Sequence, residues 1–205
     1  MRLLPSSLVI HRWCPRAIAS ALEPIGRSRD GALTHLARPE TVQAFKRLSQ
    51  AAQETGVRLH VIWAFRDPAL QKTQFEEAKK KYGPRGGIRW LAPPGFSEHQ
   101  TGWALDIGDL DDAEADDNSR FERTKAFLWL KIHGKMFGFE LSFPPGNWQG
   151  VSYEPWHWRY VGTPAAHKTF HPQGFSAVQV WGRSIFEALR WWMHPCLPAG
   201  RPEKS

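Results

Sequence analysis

With 205 residues, 41% of them hydrophobic and 23% charged, the chain has the composition of a globular protein with one sizeable core, which excludes the disordered and fibrous classes. The net charge of +7, from 27 Lys and Arg against 20 Asp and Glu, favours anionic partners, but the excess is dispersed and no nucleic-acid-binding motif accompanies it. Two cysteines, Cys14 and Cys196, exclude a disulfide framework and a Cys-rich zinc site while allowing one bridge, and no run reaches the roughly 18 apolar residues of a membrane span.

The first ten residues make a poor secretory signal, because Pro5, Ser6 and Ser7 interrupt the apolar run, so the compartment stays open. Residues 1–38 show no sustained period and read as an irregular extension packed on a domain spanning 39–162. Within that domain Val42, Phe45, Leu48 and Ala52 recur at spacings of three and four, so Thr41–Thr55 is expected to be a helix stopped by Gly56. Val57–Phe65, rich in Val, Ile and aromatics, reads as a strand. Pro68 then opens a helix to about Tyr82, and Gly83–Gly95, with four Gly and three Pro, reads as a loop.

A short strand is expected over Trp103–Ile107, followed by an acidic stretch holding Asp109, Asp111, Asp112, Glu114, Asp116 and Asp117. That stretch and the basic one at Lys79, Lys80, Lys81, Arg85 and Arg89 both read as solvated surface. A helix from Arg120 to Phe137 ends at Gly138, and strands over Phe139–Phe143 and Trp156–Val161 flank the turn-forming Pro144-Pro145-Gly146-Asn147. Helices and strands mix without strict alternation. The expected fold class is therefore α+β, a small antiparallel sheet with helices mainly on one face.

The chemistry gathers around two short segments. In an unbroken strand, seven residues would hold His99 and Asp106 about 23 Å apart on opposite faces, whereas donor atoms on one zinc lie within roughly 2.0–2.2 Å of it. Shared ligation thus demands a bend, which Gly102 can supply, and Ala104 keeps the strand face clear. His157 completes a set of three ligands that leaves a fourth position for water. Glu154, three residues earlier, suits a base, provided that the chain turns at Pro155. Taken singly these residues prove little, since a lone histidine is more often structural; the joint pattern carries the weight.

Ser97-Glu98-His99-Gln100-Thr101-Gly102-Trp103-Ala104-Leu105-Asp106 fits S-x-H-x-x-G-x-A-x-D, and Glu154-Pro155-Trp156-His157 fits E-x-W-H. Both resemble the zinc D-alanyl-D-alanine carboxypeptidases of the VanY type, within the group that also contains D-Ala-D-Ala dipeptidases, phage peptidoglycan endopeptidases and the hedgehog amino-terminal domain. The resemblance covers about 39–162. It implies one zinc ion on His99, Asp106 and His157, Glu154 as the base, and peptidoglycan stem peptides as substrate. Trp63-Ala64-Phe65-Arg66, followed by Gln71, is similar to the family's strand-end segment, with Ala64, Phe65 and Asp67 departing from its usual wording. This implies that Arg66 contacts a carboxylate or oxyanion and that Gln71 and Ser97 help to bind substrate. Carboxypeptidase, endopeptidase and dipeptidase activities, and a non-catalytic metal-bearing module, all fit the motifs; oligomeric state is not legible.

Residues 163–205 form a further extension. Between 176 and 193, Val178, Trp181, Ile185, Leu189 and Trp192 recur at helical spacing with Arg183 and Arg190 elsewhere on the wheel, a helix expected to dock on the domain or to lie at a membrane interface.

Overall fold

The computed structural model describes residues 9–172; the helix expected over 176–193 and Cys196 lie outside them. The segment expected to be irregular contains a hairpin, β1 (Glu23–Arg27) against β2 (Thr34–Ala37). Its short strands alternate too little to show a period, and pairing rather than apolar content holds them.

Helix α1 (Pro39–Glu54) buries Val42, Ala44, Phe45, Leu48 and Ala52, the stripe that the spacing predicts. Strand β3 (Leu59–Trp63) leads to α2 (Pro68–Trp90), whose first turn is capped by the Asp67 carboxylate accepting from Ala69 N–H at 2.8 Å. The expected loop at Gly83–Gly95 is mostly helix. Gly83 breaks the helix at φ 72, but the chain resumes helical turns to Trp90. A Cβ at Gly87 would lie 2.9 Å from the Lys79 backbone nitrogen, so glycine here serves a close approach of backbones rather than a loop.

Strand β4 (Ala104–Asp109) is followed by α3 (Lys125–His133), β5 (Phe139–Leu141), β6 (His157–Tyr160) and α4 (Pro164–Phe170). The single helix expected over 120–137 is divided: Thr124 caps α3 through Phe127 N–H at 3.1 Å, and tighter turns at Ser119–Arg123 and Gly134–Phe137 flank it. Gly138, at φ 82, ends the run as expected.

The main sheet is antiparallel, in the order β3-β4-β6-β5. Period two gives it two characters. Leu59, Val61, Leu105, Ile107, Phe139, Trp158 and Tyr160 join α1 and α3 in the core, whereas Asp106, His157, Arg159 and Glu140 stand on the other face. The fold is α+β, and the polar face of its sheet is the floor on which the chemistry is built.

Candidate metal centre and active site

Register places the first two groups. Asp106 of β4 pairs with His157 of β6, so both side chains rise from adjacent strands on the polar face. A bulge in β3 sets Trp63 beside Asp106 as well, one of the ways a sheet re-aims a side chain at a site. His99 arrives from the tight turn Glu98–Thr101, closed by Gly102 at φ 72 and ψ 9, the bend that the spacing demanded. The Pro155 turn forms too, with His157 N–H donating to Glu154 O at 3.1 Å.

The three groups converge. His99 Nε2 lies 3.1 Å from Asp106 Oδ2, and His157 Nδ1 lies 2.9 Å from Asp106 Oδ1. One donor atom from each can be chosen so that all lie within 4.8 Å of one another. Ligands on a tetrahedral zinc sit about 3.4 Å apart, given bonds of about 2.1 Å, so the set fits with small adjustments. The far side of each ring is engaged. His99 Nδ1–H donates to Ala64 O at 2.8 Å, which leaves Nε2 with its lone pair toward the centre. His157 Nε2 meets Glu98 Oε2 at 3.2 Å, which directs Nδ1 inward.

Electrostatics follow from burial and these partners. Burial lowers His99 from its ordinary value, with Asp106 opposing. Burial also works against a charged His157, yet Asp106 and Glu98, one on each nitrogen, push it up to about 10. Burial likewise opposes ionisation of Asp106, but His99 and His157 hold it far below the usual carboxylate range. Glu154 stands 4.0 Å from His157 Nδ1. Burial, only partly offset by His157 and reinforced by Asp106 and Glu98, pushes its carboxyl up to about 8.

These groups line a cavity of about 380 Å³ together with Arg66, Gln71 and Ser97. Arg66 is buried over the Trp63 ring at 5.1 Å and donates through Nη1 to Gln71 Oε1 at 3.1 Å, while its Nε has no partner among the described residues. Gln71 spends its other end on Ala92 O at 2.7 Å, so both polar atoms hold Arg66 and the cavity wall in place. Ser97 precedes the His99 turn, and its hydroxyl caps nothing there.

Sequence reasoning missed further residues around the site. Glu98 occupies a variable motif position, and an acid beside a histidine carries no period to mark it. Asp117 is exposed, as expected of the acidic stretch, yet also lines the cavity, at φ 53; Asp109, expected to be solvated, is instead buried outside the cavity lining, accepting from Asp111 N–H at 3.0 Å. His11, Arg12 and Cys14 also line the cavity. Their segment is pinned by Ile10 N–H to Gln149 O at 2.7 Å, Cys14 N–H to Gly95 O at 3.1 Å and Ala17 N–H to Gln100 O at 2.8 Å.

Residues 34–163, more than half of the chain, match the family described as VanY, D-alanyl-D-alanine carboxypeptidase. The chain belongs to that family. A D-alanyl-D-alanine carboxypeptidase of Enterococcus faecalis is 34% identical over 135 residues. The match covers 60% of this chain and 48% of the relative, so the chain spans about half the length of that relative. Among solved structures, the LdcB LD-carboxypeptidase superposes with a TM-score of 0.67 at 29% identity, covering 80% of this chain and 79% of the other. The VanY D,D-pentapeptidase of a VanB-type resistance cassette, crystallised with Zn(II), gives 0.57 at 29% identity, covering 86% and 98%.

Proposed function

We propose that this VanY-family chain is a zinc-dependent carboxypeptidase that releases a terminal D-alanine from peptidoglycan stem peptides. Residues 39–162 form the catalytic domain, flanked by extensions at 1–38 and 163–205. The observation that carries the reading is the buried convergence of His99, Asp106 and His157 beside Glu154 in one cavity. The zinc of the VanY-type structure and the substrate named for the enterococcal relative support the choice of metal and peptide.

His99 through Nε2, His157 through Nδ1 and the Asp106 carboxylate would hold the ion. A bound zinc supplies a Lewis acid that activates water and polarises the scissile carbonyl. Glu154 takes the proton of the attacking water and delivers it to the departing amine. Its place, 4.0 Å from His157 Nδ1 and in the same cavity as the metal ligands, puts the carboxylate within reach of a water held at the centre. Arg66 lines the same cavity as the metal ligands and offers charge to the terminal carboxylate or the developing oxyanion. The Ser97 hydroxyl, free of capping duty, supplies a hydrogen bond to the peptide.

Incubating the zinc-loaded protein with a muropeptide ending in D-Ala-D-Ala, with products read by mass, tests this. Release of single D-alanine is expected. A released dipeptide would assign the site to a dipeptidase, cleavage within the chain to an endopeptidase, and full zinc without turnover to a binding module. Glu154→Gln is expected to lower turnover by about 10²–10⁴-fold while zinc stays bound; activity surviving that change refutes the assigned base.

A further inference from the structure

Glu98 and His99 are neighbours in one buried turn, yet they serve different sides of the candidate metal centre. His99 points its Nε2 at Asp106, whereas Glu98 reaches behind His157 and meets the nitrogen that faces away from the centre, at 3.2 Å. Both Glu98 oxygens are engaged. Oε2 also accepts from the Ser142 hydroxyl at 2.7 Å, and Oε1 accepts from Arg159 Nη1 at 2.8 Å. Arg159 is fixed in turn through Nε to Glu140 Oε1 at 2.6 Å. Glu98, ion-paired with Arg159, thus presents an acceptor-only carboxylate, held from two directions, to a ring nitrogen.

Resting on the zinc reading above, we propose that Glu98, held by Ser142 and Arg159, is the positioning residue that fixes His157 with its proton on Nε2 and its Nδ1 lone pair toward the metal. The reason is chemical. A neutral imidazole carries one ring proton, and a carboxylate behind Nε2 accepts only that nitrogen's proton, so Nδ1 is left to ligate. Asp106 cannot perform this selection, because its carboxylate lies on the Nδ1 side and taken alone would draw the proton there. The same turn therefore supplies one ligand and sets the tautomer of another, which ties the two histidines together although 58 residues separate them in the chain.

Glu98→Gln separates this role from mere packing. The amide has nearly the same shape but one acceptor oxygen, and Arg159, which can only donate, claims it. The amide NH2 is then left facing His157 Nε2, where it favours the proton on Nδ1 and so opposes ligation. Zinc affinity, measured by chelator competition, is expected to fall about 10–100-fold. Long-range proton–nitrogen spectra of the zinc-loaded variant are expected to show the His157 Nε2 proton shifted upfield of its wild-type position, the mark of a lost strong acceptor behind that nitrogen.

Replacing Arg159 as well, in Glu98→Gln/Arg159→Met, frees the amide oxygen and is expected to restore part of the affinity. Unchanged affinity in Glu98→Gln, or a loss that the double variant only deepens, overturns the proposal and leaves Glu98 a structural anchor for Arg159. Should Glu98→Gln fail to fold, spectra of the zinc-loaded wild-type protein decide the matter. Metal on Nδ1 with a proton on Nε2 is expected, and the reverse overturns the proposal. A wild-type protein that binds no zinc defeats the zinc reading itself, and the proposal with it, an outcome distinct from normal binding in both wild type and variant.

Discussion

At the residue scale, three of the groups that face the centre are held from behind. His99 is backed by Ala64 O, His157 by Glu98, and Arg66 by Gln71. Arg66 shows what such backing achieves, since the bond from Nη1 to Gln71 and the Trp63 ring 5.1 Å below together fix the plane of the guanidinium in the cavity wall. A lysine keeps the charge but neither the planar fork nor the aromatic stacking. Arg66→Lys is accordingly expected to lower kcat/KM on the D-Ala-D-Ala muropeptide by about 100-fold, with zinc content unchanged. A loss below fivefold would remove Arg66 from the assigned role.

At the scale of elements, legibility followed periodicity. Helix α1 was readable because its buried residues repeat at three and four, and Gly102 and Pro155 were readable because two motifs cannot converge without bends there. The hairpin of β1 and β2 was not, since four or five residues of weak alternation carry no signal until they pair. Gly83–Gly95 misled for a different reason. One of its glycines, Gly87, answers to the neighbouring backbone of Lys79 across the Gly83 break, a contact that composition does not reveal.

Gly102 is the element-scale hinge of the site. An alanine there would adopt an unfavourable left-handed conformation, and its Cβ would sit 3.0 Å from Leu22 Cδ2 and 3.1 Å from Arg38 Cγ. The strain alone costs about 1–2 kcal/mol, and crowding adds to it. Gly102→Ala is expected to lower stability by at least that amount in denaturant unfolding and to weaken zinc binding, because the turn bearing His99 shifts. Unaltered stability and affinity would show that the bend tolerates a side chain.

At the scale of the whole molecule, the chain joins distant parts through the segment around His11. That ring reaches Ile88 O at 2.7 Å at the end of α2, and Arg12 donates to Phe170 O at 2.6 Å at the end of α4. Burial lowers His11 to about 4, with the Ile88 hydrogen bond and Glu98 opposing, so the folded protein resists protonating it. The sign is that of a depressed base: unfolded His11 takes a proton below pH 6.5, folded His11 only below about 4, and stability is lost as pH falls through that window. Between pH 7 and 4.5 the loss is about 2–3 kcal/mol. His11→Gln, which keeps a donor and does not titrate, is expected to reduce the fall in stability between those pH values by that amount. An identical fall in both proteins would show that His11 is readily protonated in the fold.

The order of the sheet has a consequence in time. Strand β6, which carries His157, is the last of its four strands in the chain, yet it lies between β4 and β5. Until it is seated, Asp106 faces no second histidine and Glu98 has no ring to steer. A zinc ion therefore meets its full ligand set only when the sheet is complete, and it seals the fold rather than seeding it. Zinc is accordingly expected to slow unfolding and to leave the refolding rate the same as in excess chelator; refolding accelerated in proportion to added zinc would place the centre early in the folding path instead.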